Sequence, residues 1–173
     1  EVWCQLFSEP AGGSDLAALR TRAEPDGDEW VLNGQKIWTS GAHYADYGLV
    51  ITRTDPTVPK HAGLTMFLVD MRAPGLEIKP IKQFTGESDF NEVYFNDVRV
   101  PDAWRLGDVG QGWQVALTTL MNERLAIGAG GPGADVALAM AIAQEVEIDG
   151  RPALTDSAVR AQIANYHVLE AGL

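Results

Sequence analysis

Two short segments of this 173-residue chain carry side chains whose types and spacing suit ligand chemistry. The first runs Leu6-Phe7-Ser8-Glu9-Pro10-Ala11-Gly12-Gly13-Ser14-Asp15, an apolar run entering a glycine-rich turn with hydroxyls at both ends. Glycine lets backbone amides approach a ligand closely, and serine hydroxyls donate to a ring carbonyl, a ring nitrogen or a phosphate. A plain turn after a strand accounts for the same residues. The second runs Asn33-Gly34-Gln35-Lys36-Ile37-Trp38-Thr39-Ser40-Gly41 and delivers an indole and two hydroxyls to the end of a β-rich stretch. A flat ring beside hydroxyl donors suits a planar heteroaromatic cofactor, because the indole stacks while the hydroxyls fix ring polarity. The competing reading is a core tryptophan followed by strand-end hydroxyls.

The elements that position these segments divide the chain by period. Up to residue 107, short β-rich runs alternate with turn residues, the pattern of an antiparallel β-barrel or sandwich. Strands are expected at Val2–Phe7, Tyr47–Arg53, Leu64–Asp70, Leu76–Ile81 and Asn91–Val100, punctuated by Pro56, Pro59, Pro74, Pro80 and Pro101. Asn33-Gly34 tolerates the positive φ of a tight turn, so Glu29–Leu32 and Gln35–Thr39 are predicted to pair as a hairpin. Asp89 and Asp97 read as turn residues. From residue 108 the apolar residues recur at helical spacing, through Trp113, Ala116, Leu120 and Leu125 and again from Val136 to Ile142. One long helix is expected there, bent near Gly130–Gly133, where Pro132 removes a backbone donor. A second helix is expected to start after a capping Thr155 or Asp156. The fold class is therefore α+β by segregation, a β-domain (1–107) followed by the start of an all-α bundle (108–173). A helix apolar on more than one face needs further helices or another subunit to cover it.

Composition excludes several classes. A formal charge of -11 with no cluster of Lys and Arg argues against a nucleic-acid partner. The single cysteine, Cys4, has no internal partner, which makes a cytoplasmic location the default. No run approaches the roughly 20 apolar residues of a membrane span. His43, His61 and His167 lack ligand spacing, so no metal is expected. The chain starts without Met in an apolar run and stops inside a helical pattern, so both ends read as cut points.

Taken together, the two segments resemble the acyl-CoA dehydrogenase family, in which a strand ending Thr/Ser-Glu-Pro-Gly-Ala-Gly-Ser-Asp is followed by Asn-Gly-x-Lys-x-Trp-x-Thr/Ser. Phe95-Asn96-Asp97-Val98-Arg99-Val100-Pro101, Gly107-Asp108-Val109-Gly110-Gln111-Gly112-Trp113 and Leu120-Met121-Asn122-Glu123-Arg124-Leu125 are also similar to it. The resemblance covers essentially the whole chain. It implies FAD as cofactor, with Leu6, Phe7 and Ser8 on one side of the flavin ring and Trp38, Thr39 and Ser40 forming the other wall. Ser8 and Ser40 would donate to the ring edge. Gly13 and Ser14 would face the cofactor and the CoA pantetheine, and Ser88 and Arg124 would contact substrate. One departure stands out: Pro10-Ala11-Gly12-Gly13 exchanges the family's first glycine and alanine, and a positive φ at Ala11 would cost about 1 kcal/mol or more.

The resemblance further implies dehydrogenation of an acyl-CoA thioester to the trans-2-enoyl-CoA, electrons passing to an electron-transfer flavoprotein, in a homo- or hetero-oligomer such as a homotetramer. Some branches of the family place the proton-abstracting Glu immediately before the helix arginine, where this chain has Glu123. In most members that Glu comes from a later helix, and Glu123 would then be a surface residue beside a substrate-placing Arg124. A non-catalytic partner subunit and an acyl-CoA oxidase are the competing activities.

Overall fold

Strands form where small runs of β-branched and aromatic residues alternate or persist, and helices begin only once that pattern ends. The computed structural model describes residues 1–128 and 136–171, and the expected bend at Gly130–Gly133 lies outside the described residues. Contacts divide the chain into two units, residues 1–122 and 123–173.

In the first unit, β1 (Trp3–Leu6), β2 (Arg22–Asp26), β3 (Glu29–Ser40), β4 (Tyr47–Arg53), β5 (Leu64–Asp70), β6 (Leu76–Pro80), β7 (Phe90–Pro101) and β8 (Arg105–Leu106) form one sheet. Its order is β6-β7-β3-β2-β4-β5-β8, with β1 paired parallel to β4. The path is open, so among the described residues there is no closed barrel, and most pairs are antiparallel. Both faces are covered. Neighbouring residues therefore enter different cores: Leu6, Val50 and Phe67 join one cluster, while Phe7, Ile51 and Met66 join the other with Leu16, Leu19 and Ala116. This double burial explains why β4 and β5 read as nearly continuous apolar runs. α1 (Gly112–Gly128) begins against β5, where a Cβ on Gly112 would stand 2.7 Å from the Thr65 backbone.

The expected Asn33-Gly34 hairpin is corrected. β3 runs unbroken through both residues, and its two halves pair with β2 and β7 rather than with each other. Gly34, at φ 149, sits at a register shift, and a Cβ there would lie 2.5 Å from Thr21 Oγ1. Glycine serves a close approach here, not a turn. The chain reverses instead between β2 and β3, at Gly27 (φ 64). β2 itself was not expected, since only Ala23 of its five residues is buried and it contains Pro25. Asp97 is likewise not in a turn but inside β7, in the bulge that stands opposite Asn33.

The second unit holds α2 (Val136–Glu145), β9 (Glu147–Ile148), β10 (Arg151–Pro152) and α3 (Ser157–Ala171). β9 and β10 pair antiparallel across Asp149 (φ 52) and Gly150 (φ 74), a turn with both central residues left-handed. Asp156 caps α3, its Oδ1 accepting from the Ala158 and Val159 amides at 2.8 and 3.1 Å. Among the described residues no helix is long and apolar enough to cross a membrane.

Candidate functional site

The two chemistry-bearing segments meet in the first unit. The Ile37 amide donates to the Ser8 carbonyl at 2.9 Å, which ties the residue before Trp38 to the start of the first segment. One residue earlier Lys36 is wholly buried, and its Nζ donates to the Phe7 carbonyl at 3.1 Å and to Glu9 Oε1 at 2.8 Å. Glu9 accepts two more hydrogen bonds, from the Thr21 amide at 2.9 Å and the Arg20 amide at 2.6 Å.

Burial pushes the Lys36 ammonium down to about 8, against the pull of Glu9. Burial also works to raise the Glu9 carboxyl, but the Lys36 charge and the hydrogen bonds from Lys36, Thr21 and Arg20 outweigh it and hold the group below its ordinary value. The asymmetry has a structural cause: Glu9 gathers backbone donors as well as the ammonium, whereas Lys36 has the carboxylate and one carbonyl. Neither residue was assigned a role from sequence, although both stand inside the quoted motifs. The available signal was a lysine within an otherwise inward-facing strand register and a glutamate in the other motif.

Just past Lys36 the β3–β7 register shifts between Lys36 and Thr39. Trp38 sits there at φ 61, a left-handed conformation that costs a non-glycine residue about 1–2 kcal/mol. Trp38 is 58% exposed, and its indole meets Phe90 edge-on with ring centroids 6.3 Å apart. Thr39 turns inward, and its Oγ1 is buried without a hydrogen-bond partner. The Thr39 carbonyl accepts from Asn91 Nδ2 at 3.0 Å, and Asn91, fully buried, also contacts His43 Nδ1 at 3.1 Å. A strained backbone, an uncovered aromatic face and an unpaired hydroxyl in consecutive positions are what a ligand-completed site leaves when seen alone.

The remaining candidates are distributed as follows. Leu6 and Phe7 are buried in the two cores, Ser8 is half-buried and Ser40 exposed. Glu9 and Gly12 exchange two backbone hydrogen bonds of 3.0 Å, closing the turn. Ala11 does not take a positive φ, so the Ala-Gly exchange carries no left-handed penalty. Gly13 and Ser14 are exposed beyond it, next to Asp15, which pairs with Lys60 at 2.6 Å. Ser88 is half-buried in the loop before β7. That loop is joined to the second segment where the Gly41 amide donates to the Asp89 carbonyl at 2.9 Å. Glu123, half-buried, and Arg124, exposed, lie on α1 and fall in the second unit. Cys4 is buried and its thiol pushed up to about 12 by desolvation, an inert core residue.

The profile of the acyl-CoA dehydrogenase middle domain matches residues 4–98, and that of the acyl-CoA dehydrogenase C-terminal domain matches residues 110–173. The chain belongs to the acyl-CoA dehydrogenase family. It is 56% identical over 129 residues to acyl-CoA dehydrogenase FadE34 of Mycobacterium tuberculosis, a match covering 75% of this chain and 18% of that protein. Among solved structures it is similar to the Tcur3481-Tcur3483 steroid ACAD, at 34% identity and a TM-score of 0.77, over 98% of this chain and 43% of that one. It is also similar to a glutaryl-CoA dehydrogenase from Mycobacterium smegmatis solved in complex with FADH2, at 30% identity and a TM-score of 0.74, over 97% and 43% of the two chains. The chain thus spans less than half the length of each of these three relatives.

The last of these relatives was solved with a reduced flavin, FADH2. The residues present fit that group: the exposed Trp38 indole offers a face to a planar ring, and the orphaned Thr39 hydroxyl lies in the same three-residue run.

Proposed function

We propose that the protein carrying this chain is an FAD-dependent acyl-CoA dehydrogenase that converts an acyl-CoA thioester to the trans-2-enoyl-CoA and passes electrons to an electron-transfer flavoprotein. The observation that carries the reading is the left-handed, exposed Trp38 followed by the unpartnered Thr39 hydroxyl, hydrogen-bonded through Ile37 to Ser8. Residues 1–107 form the flavin- and CoA-facing domain and residues 108–173 the start of the helical one, a division supported by the gap between the two matched profiles.

Bound FAD supplies the acceptor for the substrate's β-hydride. Ser8 lines one side of its ring, with Leu6 and Phe7 packed in the cores behind it, and Trp38, Thr39 and Ser40 form the other side. Hydroxyls of Ser8 and Ser40 donate to the ring edge, which favours the more electron-rich reduced form. Gly13 and Ser14 face the cofactor and pantetheine, and Ser88 contacts CoA. Arg124 holds the thioester region while Glu123 takes the α-proton, so that proton and hydride leave together without a free carbanion. The apolar side chains exposed on the helices, among them Leu117, Met121, Leu138 and Ile142, support assembly into an oligomer.

The test is anaerobic mixing of the flavin-loaded enzyme with acyl-CoA. Flavin bleaching is expected, and its absence would favour a non-catalytic partner subunit. Rapid oxygen consumption on admitting air would instead mark an oxidase. Glu123→Gln should retain FAD and slow bleaching by about a hundredfold. A near-normal rate would move the base to a residue outside this chain.

A further inference from the structure

The Glu9–Lys36 pair does something that its contribution to stability does not explain. A wholly buried ion pair is weak evidence for stability, because removing both charges from water offsets most of their attraction. Its geometry is directed at the backbone of the site instead. Three successive residues of the first segment are each tied to β3 at Lys36 or Ile37: the Phe7 carbonyl and the Glu9 carboxylate by Lys36 Nζ, and the Ser8 carbonyl by the Ile37 amide. Glu9 in turn is anchored by the amides of Arg20 and Thr21, and the Arg53 amide on β4 donates to the Thr21 carbonyl at 2.7 Å. The clasp therefore reaches from β3 through the first segment to β4.

Trp38 lies between this clasp and a second hold, the Asn91 amide on the Thr39 carbonyl. A left-handed tryptophan persists only where its surroundings over-determine it. Fixing Lys36 and Ile37 on one flank and Thr39 on the other leaves the Trp38 peptide little freedom to relax. We infer that Glu9 and Lys36 are positioning residues of the flavin site, a buried clasp that sets the separation of the Phe7–Ser8 and Trp38–Ser40 backbones and holds the Trp38 indole in its ring-facing pose. The inference rests on the flavin reading given above.

It is tested in the full enzyme, stripped of flavin and titrated with FAD. The double variant Glu9→Met/Lys36→Met replaces both charges with side chains of similar length, so neither is left buried and unpaired. Because it still leaves the Arg20 and Thr21 amides and the Phe7 carbonyl without their partners, it is expected to unfold cooperatively at a lowered temperature and to bind FAD at least about tenfold more weakly, with altered visible circular dichroism of the bound flavin and a shifted reduction potential. Glu9→Gln keeps the shape and a hydrogen-bond acceptor, and should fall between the double variant and wild type. A double variant with wild-type FAD affinity, dichroism and potential would reduce the pair to a structural feature and overturn the inference. If the double variant does not fold, Glu9→Gln decides: a two-fold or greater loss of affinity with a changed dichroism spectrum supports the clasp, and unchanged values overturn it. Failure of the wild-type apoenzyme to bind FAD would instead overturn the flavin reading, and the clasp's proposed role with it.

Discussion

The β3–β7 ladder is broken twice, and the two breaks are built differently. At the first, between Leu32 and Gly34, every irregularity is answered within the chain: Asn33 Nδ2 donates to Asp97 Oδ1 at 2.9 Å, and the Asp97 amide donates back to Asn33 Oδ1 at 3.0 Å. The left-handed residue there is Asp97, a type that tolerates φ near 53, and the close approach to Thr21 is met by glycine. At the second, between Lys36 and Thr39, the left-handed residue is tryptophan, its ring is exposed, and the neighbouring hydroxyl has no partner. The first bulge is complete. The second has the same backbone device with its costs left open, which is the difference expected between a bulge that shapes a sheet and one that waits for a ligand.

The largest effect on this comparison should come from the buried pair beside the open bulge. Lys36→Met strands the Glu9 carboxylate in the interior and should destabilise the protein by about 3–5 kcal/mol in denaturant titrations, with part of the loss recovered by adding Glu9→Met, which removes the stranded charge but leaves the Arg20 and Thr21 amides without an acceptor. The pair also has a pH signature. Because the Glu9 carboxyl is held below its ordinary value, its contribution is present above about pH 4.3 and is lost as pH falls through the depressed folded value. Glu9→Gln should therefore flatten the acid limb of the stability profile. An unchanged acid limb would mean that other carboxylates dominate acid unfolding.

At the completed bulge, Gly34→Ala places a Cβ within 2.8 Å of three Thr21 atoms at an unfavourable φ, and should cost about 2 kcal/mol or more. Because the Thr21 amide also anchors Glu9, displacing Thr21 should carry into the clasp and weaken FAD binding by the folded fraction a few-fold. Unchanged FAD affinity would show that the two bulges are independent.

How much of this was legible in sequence depends on what each residue pair was asked to reveal. β4 and β5 were readable to the residue, because burial on both faces writes a dense apolar run that turn residues bound. β2 was not, since a polar strand containing proline has no period to detect. The two X-Gly pairs are the sharper lesson. Asn33-Gly34 reads as a turn and instead lies opposite a bulge in β7, while Asp149-Gly150, between the two expected helices, makes a turn with both residues at positive φ that the helical spacing around it does not announce. Positive φ is encoded locally, but whether it reverses the chain is decided by the strands on either side. In the site, ligand-type side chains were visible in both segments. The atoms holding the segments together were not, because Lys36 and Glu9 belong to residue types that ordinarily signal a solvated surface.

The two left-handed residues can be exchanged against each other. Trp38→Asn puts a residue tolerant of φ 61 at the open bulge and should stabilise the flavin-free protein by about 1 kcal/mol while weakening FAD binding, since the stacking face is gone. Asp97→Ala should do the reverse, costing about 1 kcal/mol with flavin affinity unchanged. If both substitutions move stability in the same direction, strain is not what distinguishes the bulges.

The smallest and most discriminating change is Thr39→Val, which exchanges the orphaned hydroxyl for a methyl of nearly the same volume. If the hydroxyl has no partner in the flavin-free protein, it contributes only desolvation cost there, and valine should be neutral or stabilising by up to about 1 kcal/mol. If its partner is the cofactor, the same substitution must weaken FAD binding, so that fold stability and ligand affinity change with opposite sign from a single atom. A hydroxyl satisfied by protein or trapped water would behave otherwise, with valine lowering the stability of the flavin-free protein. A hydroxyl that plays no part in the site would leave FAD affinity untouched. Thermal melts of the flavin-free variant set beside its FAD titration separate these cases, and only the opposite-sign result makes the second bulge an incomplete site instead of a packing flaw.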